Sequence, residues 1–130
     1  MKILVPVRFP LNRNSRHTLE SALEKKQEDD SLAVLHIDLF QKKRNVSERQ
    51  LKEVVESEFG TCDVSYRVKE GFLVEQSILE EAANTDTDVI YIGESQKGRF
   101  RKAVRKLIGN DPNIKEFLRK NIDARIEVVT

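Results

Sequence analysis

The chain has 130 residues, 38% hydrophobic and 35% charged, with a formal net charge of +1. That length suits one domain able to bury most of its unfolded surface, and so small a net charge leaves any nucleic-acid reading to local clusters of cations. The single cysteine, Cys62, excludes an internal disulfide and a cysteine-rich zinc site.

Taken in order, "KILVPV" is a continuous apolar run, as a strand covered on both faces should be. In the following "LNRNSRHTLESALEKKQEDD", Asn14 or Ser15 can cap a helix whose inner stripe is Leu19, Ala22 and Leu23. "SLAVLHIDLF" reads as a second buried strand. Ser47 and Gln50 have capping-box spacing ahead of Leu51, Val54, Val55 and Phe59 on one helical face, and Gly60 supplies a stop. "DVSYRVK" alternates at Val64, Tyr66 and Val68, the pattern of a half-exposed edge strand. After Gly71, Val74, Ile78, Leu79 and Ala82 form the inner face of a third helix.

"DVIYIG" is the most plainly buried strand. Beyond it, "RFRKAVRKLIG" predicts a short helix with Phe100, Val104, Leu107 and Ile108 inward and Gly109 at its end. Asp111 before Pro112 is a cap and first-turn pair opening a last helix with Ile114, Phe117 and Leu118 inward. "ARIEVV", residues 124–129, closes the chain as a short strand. Five strands separated by helices imply one α/β domain over residues 1–130 with a parallel five-stranded sheet. The most apolar strands belong in the middle, which the order 3-2-1-4-5 satisfies. Its switch point lies between strands one and four, where open α/β sheets bind ligands beyond the strands' carboxyl ends.

The stretch "GESQKGRFRKAVRKLIGN" therefore begins at the predicted crevice. Glycines after a buried strand let amide N–H groups approach a phosphate. Read without a ligand, Gly93, Gly98 and Gly109 are a turn glycine, a loop glycine and a helix cap. Neither GxGxxG nor GxxxxGK[ST] is present. Lys97, Arg99, Arg101, Lys102, Arg105 and Lys106 could follow a phosphate backbone, but the four-residue spacings place them on an exposed helix face, and Phe100 belongs to the core. A solvated face or a partner surface is the better reading. His36 and Asp38 share a strand face without a third metal ligand, and His17 reads as a helix-surface histidine. Cys62 has no activating neighbour, and no nucleophile elbow occurs.

Over nearly its full length the chain resembles the universal stress protein family, through "KILVPV", "AVLHI", "VKEGFLVEQSILEEA", "DVIYIG" and the glycine-marked loop. The resemblance implies a Rossmann-like three-layer fold that dimerises through its last strand. Its nucleotide-binding members carry glycine, two residues, glycine, nine residues, glycine and a small polar residue. Here the intervals are four and ten, with Asn110 in the polar position, and the aspartate expected after "VPV" is Arg8. The matching ligand positions are Pro6, Val7, Arg8, Ile37, Ile92, Gly93, Gly98, Gly109 and Asn110, with Arg99 beside Gly98 as a further anion contact. Arg8 would bring a guanidinium to an anion in the crevice, or else pair with Glu94 or another nearby acid.

The expected protein is thus a binding or regulatory module that takes ATP or another anionic nucleotide, with no metal of its own and no assigned catalytic residue. The alternative is a stress protein without nucleotide that acts through protein contacts, and a third reading uses the basic 97–106 helix for nucleic acid. No apolar run approaches the ~20 residues of a membrane span, and Pro6 and Arg8 interrupt any signal-peptide core, so a cytoplasmic homodimer joined through residues 124–129 is expected.

Overall fold

A computed structural model describes residues 1–110, 112–118 and 125–130. The cap expected at Asp111, the Leu118 side chain, the continuation of the last helix through Ile122 and residue 124 of the expected closing strand lie outside the described residues. The strands are β1 (Lys2–Pro6), β2 (Ser31–Leu39), β3 (Ser65–Gly71), β4 (Val89–Gly93) and β5 (Ile126–Val129). They alternate with helices α1 (Arg13–Lys25), α2 (Glu48–Phe59), α3 (Val74–Asn84), α4 (Lys97–Ile108) and α5 (Pro112–Leu118). All pairings are parallel, in the order β3-β2-β1-β4-β5. The α/β class, the sheet and its order are those the sequence predicts.

Each central strand sends alternate side chains to two cores. Ile3, Val5, Leu32 and Val34 pack under α1 and α2 with Leu19, Leu51 and Val55. Leu4, Leu35, Ile90 and Ile92 pack under the other helices with Ile78, Leu79, Phe100 and Ile114. Phe100 is fully enclosed, and truncating it to alanine would cost about 3–5 kcal/mol.

Local signals explain several boundaries. Ser47 and Gln50 form the full reciprocal capping box, and Gly60 ends α2 with φ at 75°. The cap of α1 is Asn12, two residues before Asn14 and three before Ser15, and the Ser15 hydroxyl is occupied in accepting from the Arg8 N–H. The last apolar residue of α4 also departs from the pattern: Ile108 is 42% exposed, while Ala103 turns inward.

Pro6 shapes the switch point. The Val7 N–H donates to Leu35 O on β2, whereas Lys2 O accepts from the Asp88 N–H on the β4 side. Even-numbered residues of β1 therefore face β4, and Pro6, which has no N–H, occupies the next such place. The β1–β4 register runs only through Ile3↔Val89 and Leu4↔Ile90, against five aligned residues between β1 and β2. Beyond that point β1 and β4 part, and a crevice opens.

Candidate functional site

A cavity of about 620 Å³ occupies this crevice. Its floor is the carboxyl ends of β1, β2 and β4, and its walls are the first turns of α1, α3 and α4. Because helices of a parallel sheet run against the strands, their amino-terminal ends gather here, with unsatisfied N–H groups and partial positive charge. Neither α3 nor α4 has a side-chain cap at its first turn.

Hydrogen bonds join the walls. Asn12 Oδ1 accepts from the Ser15 N–H at 2.8 Å, and Ser15 Oγ from the Arg8 N–H at 2.9 Å, which ties the start of α1 to the end of β1. Asn14 Nδ2 donates to Ser95 Oγ across the crevice at 3.3 Å, and Gln41 Nε2 donates to Phe72 O at 3.0 Å between the loops after β2 and β3. His36 lies in the floor with Nδ1 3.1 Å from Val7 O and its ring against Phe9; burial pushes its pKa down. Asp38, two residues along on the same strand face, receives the Val46 N–H at 3.1 Å on one oxygen, while its other oxygen is buried without a partner among the described residues.

The electrostatics turn on two arginines. Arg99 pairs with Glu75 of α3 at 3.2 Å, so its charge is countered at the mouth. Arg8 is exposed and has no carboxylate within 4 Å among the described residues, and the pairing with Glu94 does not form. Arg8 thus lines the cavity with no acid paired to it among the described residues.

Of the residues singled out in the sequence, Pro6, Val7, Arg8, Ile37, Gly93 and Arg99 line this one cavity. Ile92 is buried, and borders a separate groove on the α4 side. Gly98 does not sit in a loop: a 3-10 turn, Glu94–Gln96, leads directly into α4 at Lys97, so Gly98 belongs to its first turn. Gly109 and Asn110 lie at the other end of α4, where the Asn110 N–H and side chain cap Leu107 O and Lys106 O. Sequence reasoning missed Asn12, Asn14, Gln41, Phe72 and Glu75. The position of the loop after β3 beside β2 was the signal for Phe72 and Glu75, since strand order brings every such loop to the same end of the sheet. His17 stands apart, its Nε2 2.9 Å from Thr130 O.

No group of three or more His, Cys, Asp or Glu side chains able to hold a metal occurs among the described residues. Likewise, no helix among them is long and apolar enough to cross a membrane.

No family model and no curated protein matches the sequence. Solved structures do. The hypothetical protein MJ0577 is similar with a TM-score of 0.58 and 17% identity, over 98% of this chain and 94% of that one. A universal stress protein solved in complex with cAMP is similar with a TM-score of 0.52 and 16% identity, over 98% and 96%. The chain therefore has the fold of a universal stress protein, as its strand order and helix placement lead one to expect.

Proposed function

We propose that the chain is a binding module whose cavity holds a nucleotide, with the phosphate beside Arg8 and the first turns of α1 and α4. The observation that carries this reading is the convergence of three helix amino-termini and of Arg8, unpaired among the described residues, on a single cavity. Its volume of about 620 Å³ lies within the range of small-molecule sites. The structurally similar protein bound to cAMP supports a nucleotide over a simple anion. With the Arg99 charge countered by Glu75, the charge balance suits a ligand of one or two phosphate charges better than a triphosphate. No residue here is assigned a chemical step; the role is binding, and through binding, regulation.

Calorimetric titration with cAMP, AMP and ATP tests this. Saturable binding that is lost in Arg8→Glu is expected, and no heat above dilution at millimolar nucleotide would overturn it.

A second reading, action through protein contacts at the same end of the sheet, is favoured by the apolar cluster at the mouth. Phe40 and Phe72 pack in a tilted pair with ring centroids 4.7 Å apart, and Phe72 and Leu73 are 68% and 51% exposed. Native mass spectrometry of purified protein separates the two, since nucleotide carried through purification excludes a contact-only role.

A further inference from the structure

We infer that the loops after β2 and β3 form one docking surface for an anionic lipid bilayer, which the protein touches without crossing. The apolar part is the Phe40–Phe72 ring pair together with Leu73, all three exposed. Phe72 and Leu73 are neighbours, each more than half exposed, and neither belongs to either core. The cationic part follows directly in sequence. Lys42, Lys43 and Arg44 are exposed and have no carboxylate within 4 Å among the described residues. Neither connection, 40–47 or 72–73, carries an acid. Of the flanking acids Glu48, Glu70 and Glu75, the last is engaged by Arg99. Backbone anchors hold the two parts together. Gln41 Nε2 donates to Phe72 O at 3.0 Å, Arg44 Nη1 to Phe9 O at 2.8 Å, and the Val46 N–H to buried Asp38 at 3.1 Å. Between these anchors Lys43 and Asn45 turn the chain tightly, with φ at 47° and 52°. The cations are therefore kept beside the ring pair.

The mixture selects the occupant. Bulky apolar side chains that sink to the headgroup boundary, beside cations that meet anionic lipid, are what a peripheral bilayer contact requires. A protein partner fits less well, because a stable interface covers roughly 800 Å² on each side and three projecting side chains supply a small part of that. Single-stranded nucleic acid also fits less well. The two rings are inclined at 46°, so bases cannot stack on both in succession, and Leu73 offers no stacking face. Gln41, Phe72 and Leu73 line the cavity as well, so docking covers its mouth. The contact needs no cavity ligand, and its failure leaves the nucleotide reading standing.

The test sediments the full chain with vesicles of phosphatidylcholine alone and of phosphatidylcholine with phosphatidylserine at two to one. Binding to the anionic vesicles should be about tenfold tighter or more, since each cation near such a surface contributes about fivefold. Lys42→Gln/Lys43→Gln should remove most of this preference, and Phe72→Ser/Leu73→Ser should weaken binding about tenfold. All four side chains are exposed, so both variants should keep the wild-type circular dichroism spectrum. The chain has no tryptophan, so Phe72→Trp supplies a single reporter whose emission should shift to the blue on anionic vesicles. Absence of sedimentation with anionic vesicles overturns the proposal and leaves the patch to a protein or nucleic-acid partner. Equal binding to the two kinds of vesicle also overturns it. So does sedimentation without the emission shift, which would place the contact elsewhere on the chain.

Discussion

Arg99 Nε and Glu75 Oε1 lie 3.2 Å apart, joining the first turn of α4 to the first turn of α3 across the mouth of the cavity. The pair fixes the separation of two helix ends and sets a negative charge where an anionic ligand would enter. Under the nucleotide reading, Glu75→Gln frees Arg99 and removes that repulsion. Affinity for AMP should rise about 3- to 5-fold, the scale of a partly exposed ion pair, and affinity for ATP by more. Calorimetry with adenosine as the neutral control checks the explanation. An equal gain for adenosine would assign the effect to shape instead of charge.

The backbone that delivers Glu75 depends on Gly71. A Cβ built there runs into the Ser77 hydroxyl and lies 3.1 Å from Ser77 Cβ, while Ile37 Cγ2 stands 3.7 Å away. Ser77 is buried and its N–H is held by Leu73 O, so the neighbour has little room to retreat. Gly71→Ala should cost roughly 1–3 kcal/mol through overpacking. Adding Ser77→Ala should return part of that loss, a coupling that a double-mutant cycle in urea measures. A wild-type urea midpoint for Gly71→Ala would contradict the packing described.

The strands and the order of the sheet were legible because apolar runs such as "KILVPV" and "DVIYI" have no other stable placement. The crevice followed from that order. Four features were not legible. Asn12, Asn14 and Ser15 all have capping side chains, and only the folded chain shows that the Ser15 hydroxyl is claimed by the Arg8 N–H. The start of α4 carries no signal, since Gln96 makes no side-chain cap and Gly98 is a poor helix former. Arg8 reads in sequence either as an anion ligand or as half of an ion pair with Glu94, and only geometry removes the second reading. The Glu75–Arg99 contact joins residues 24 positions apart on different helices, which no sequence period encodes.

His36 gives the fold a dependence on mildly acidic pH. Burial, the largest cause, lowers its pKa below the ordinary 6.5, and nearby Arg44 acts in the same direction, against the Val7 carbonyl and Asp38. The unfolded chain therefore takes up a proton as pH falls through about 6.5, while the folded chain resists until lower pH. Stability should fall with pH through that window and level off below the folded pKa. In His36→Gln the decline between about pH 7 and pH 5.5 should be shallower, as read from urea midpoints. An unchanged slope would assign the decline to other groups.

Tyr66 carries the opposite dependence at the alkaline end. Its hydroxyl is buried with no hydrogen-bond partner among the described residues, and burial, assisted by Cys62 and Glu56, pushes its pKa up to about 12 from 10.0. A donor left unpaired is a cost in the folded state, so Tyr66→Phe should be neutral or stabilising by up to ~1 kcal/mol at neutral pH. Above pH 10 the unfolded chain loses the phenol proton while the folded chain keeps it, so stability is lost as pH rises from 10 toward 12. Tyr66→Phe removes that part of the loss and leaves the part due to Tyr91, whose pKa burial also raises. Urea midpoints of the two proteins should therefore diverge as the solution is made alkaline, with the phenylalanine variant the more stable. A variant less stable than wild type by more than ~1 kcal/mol at neutral pH would mean that the hydroxyl has a partner in solution, and that its burial is not the cause assigned here.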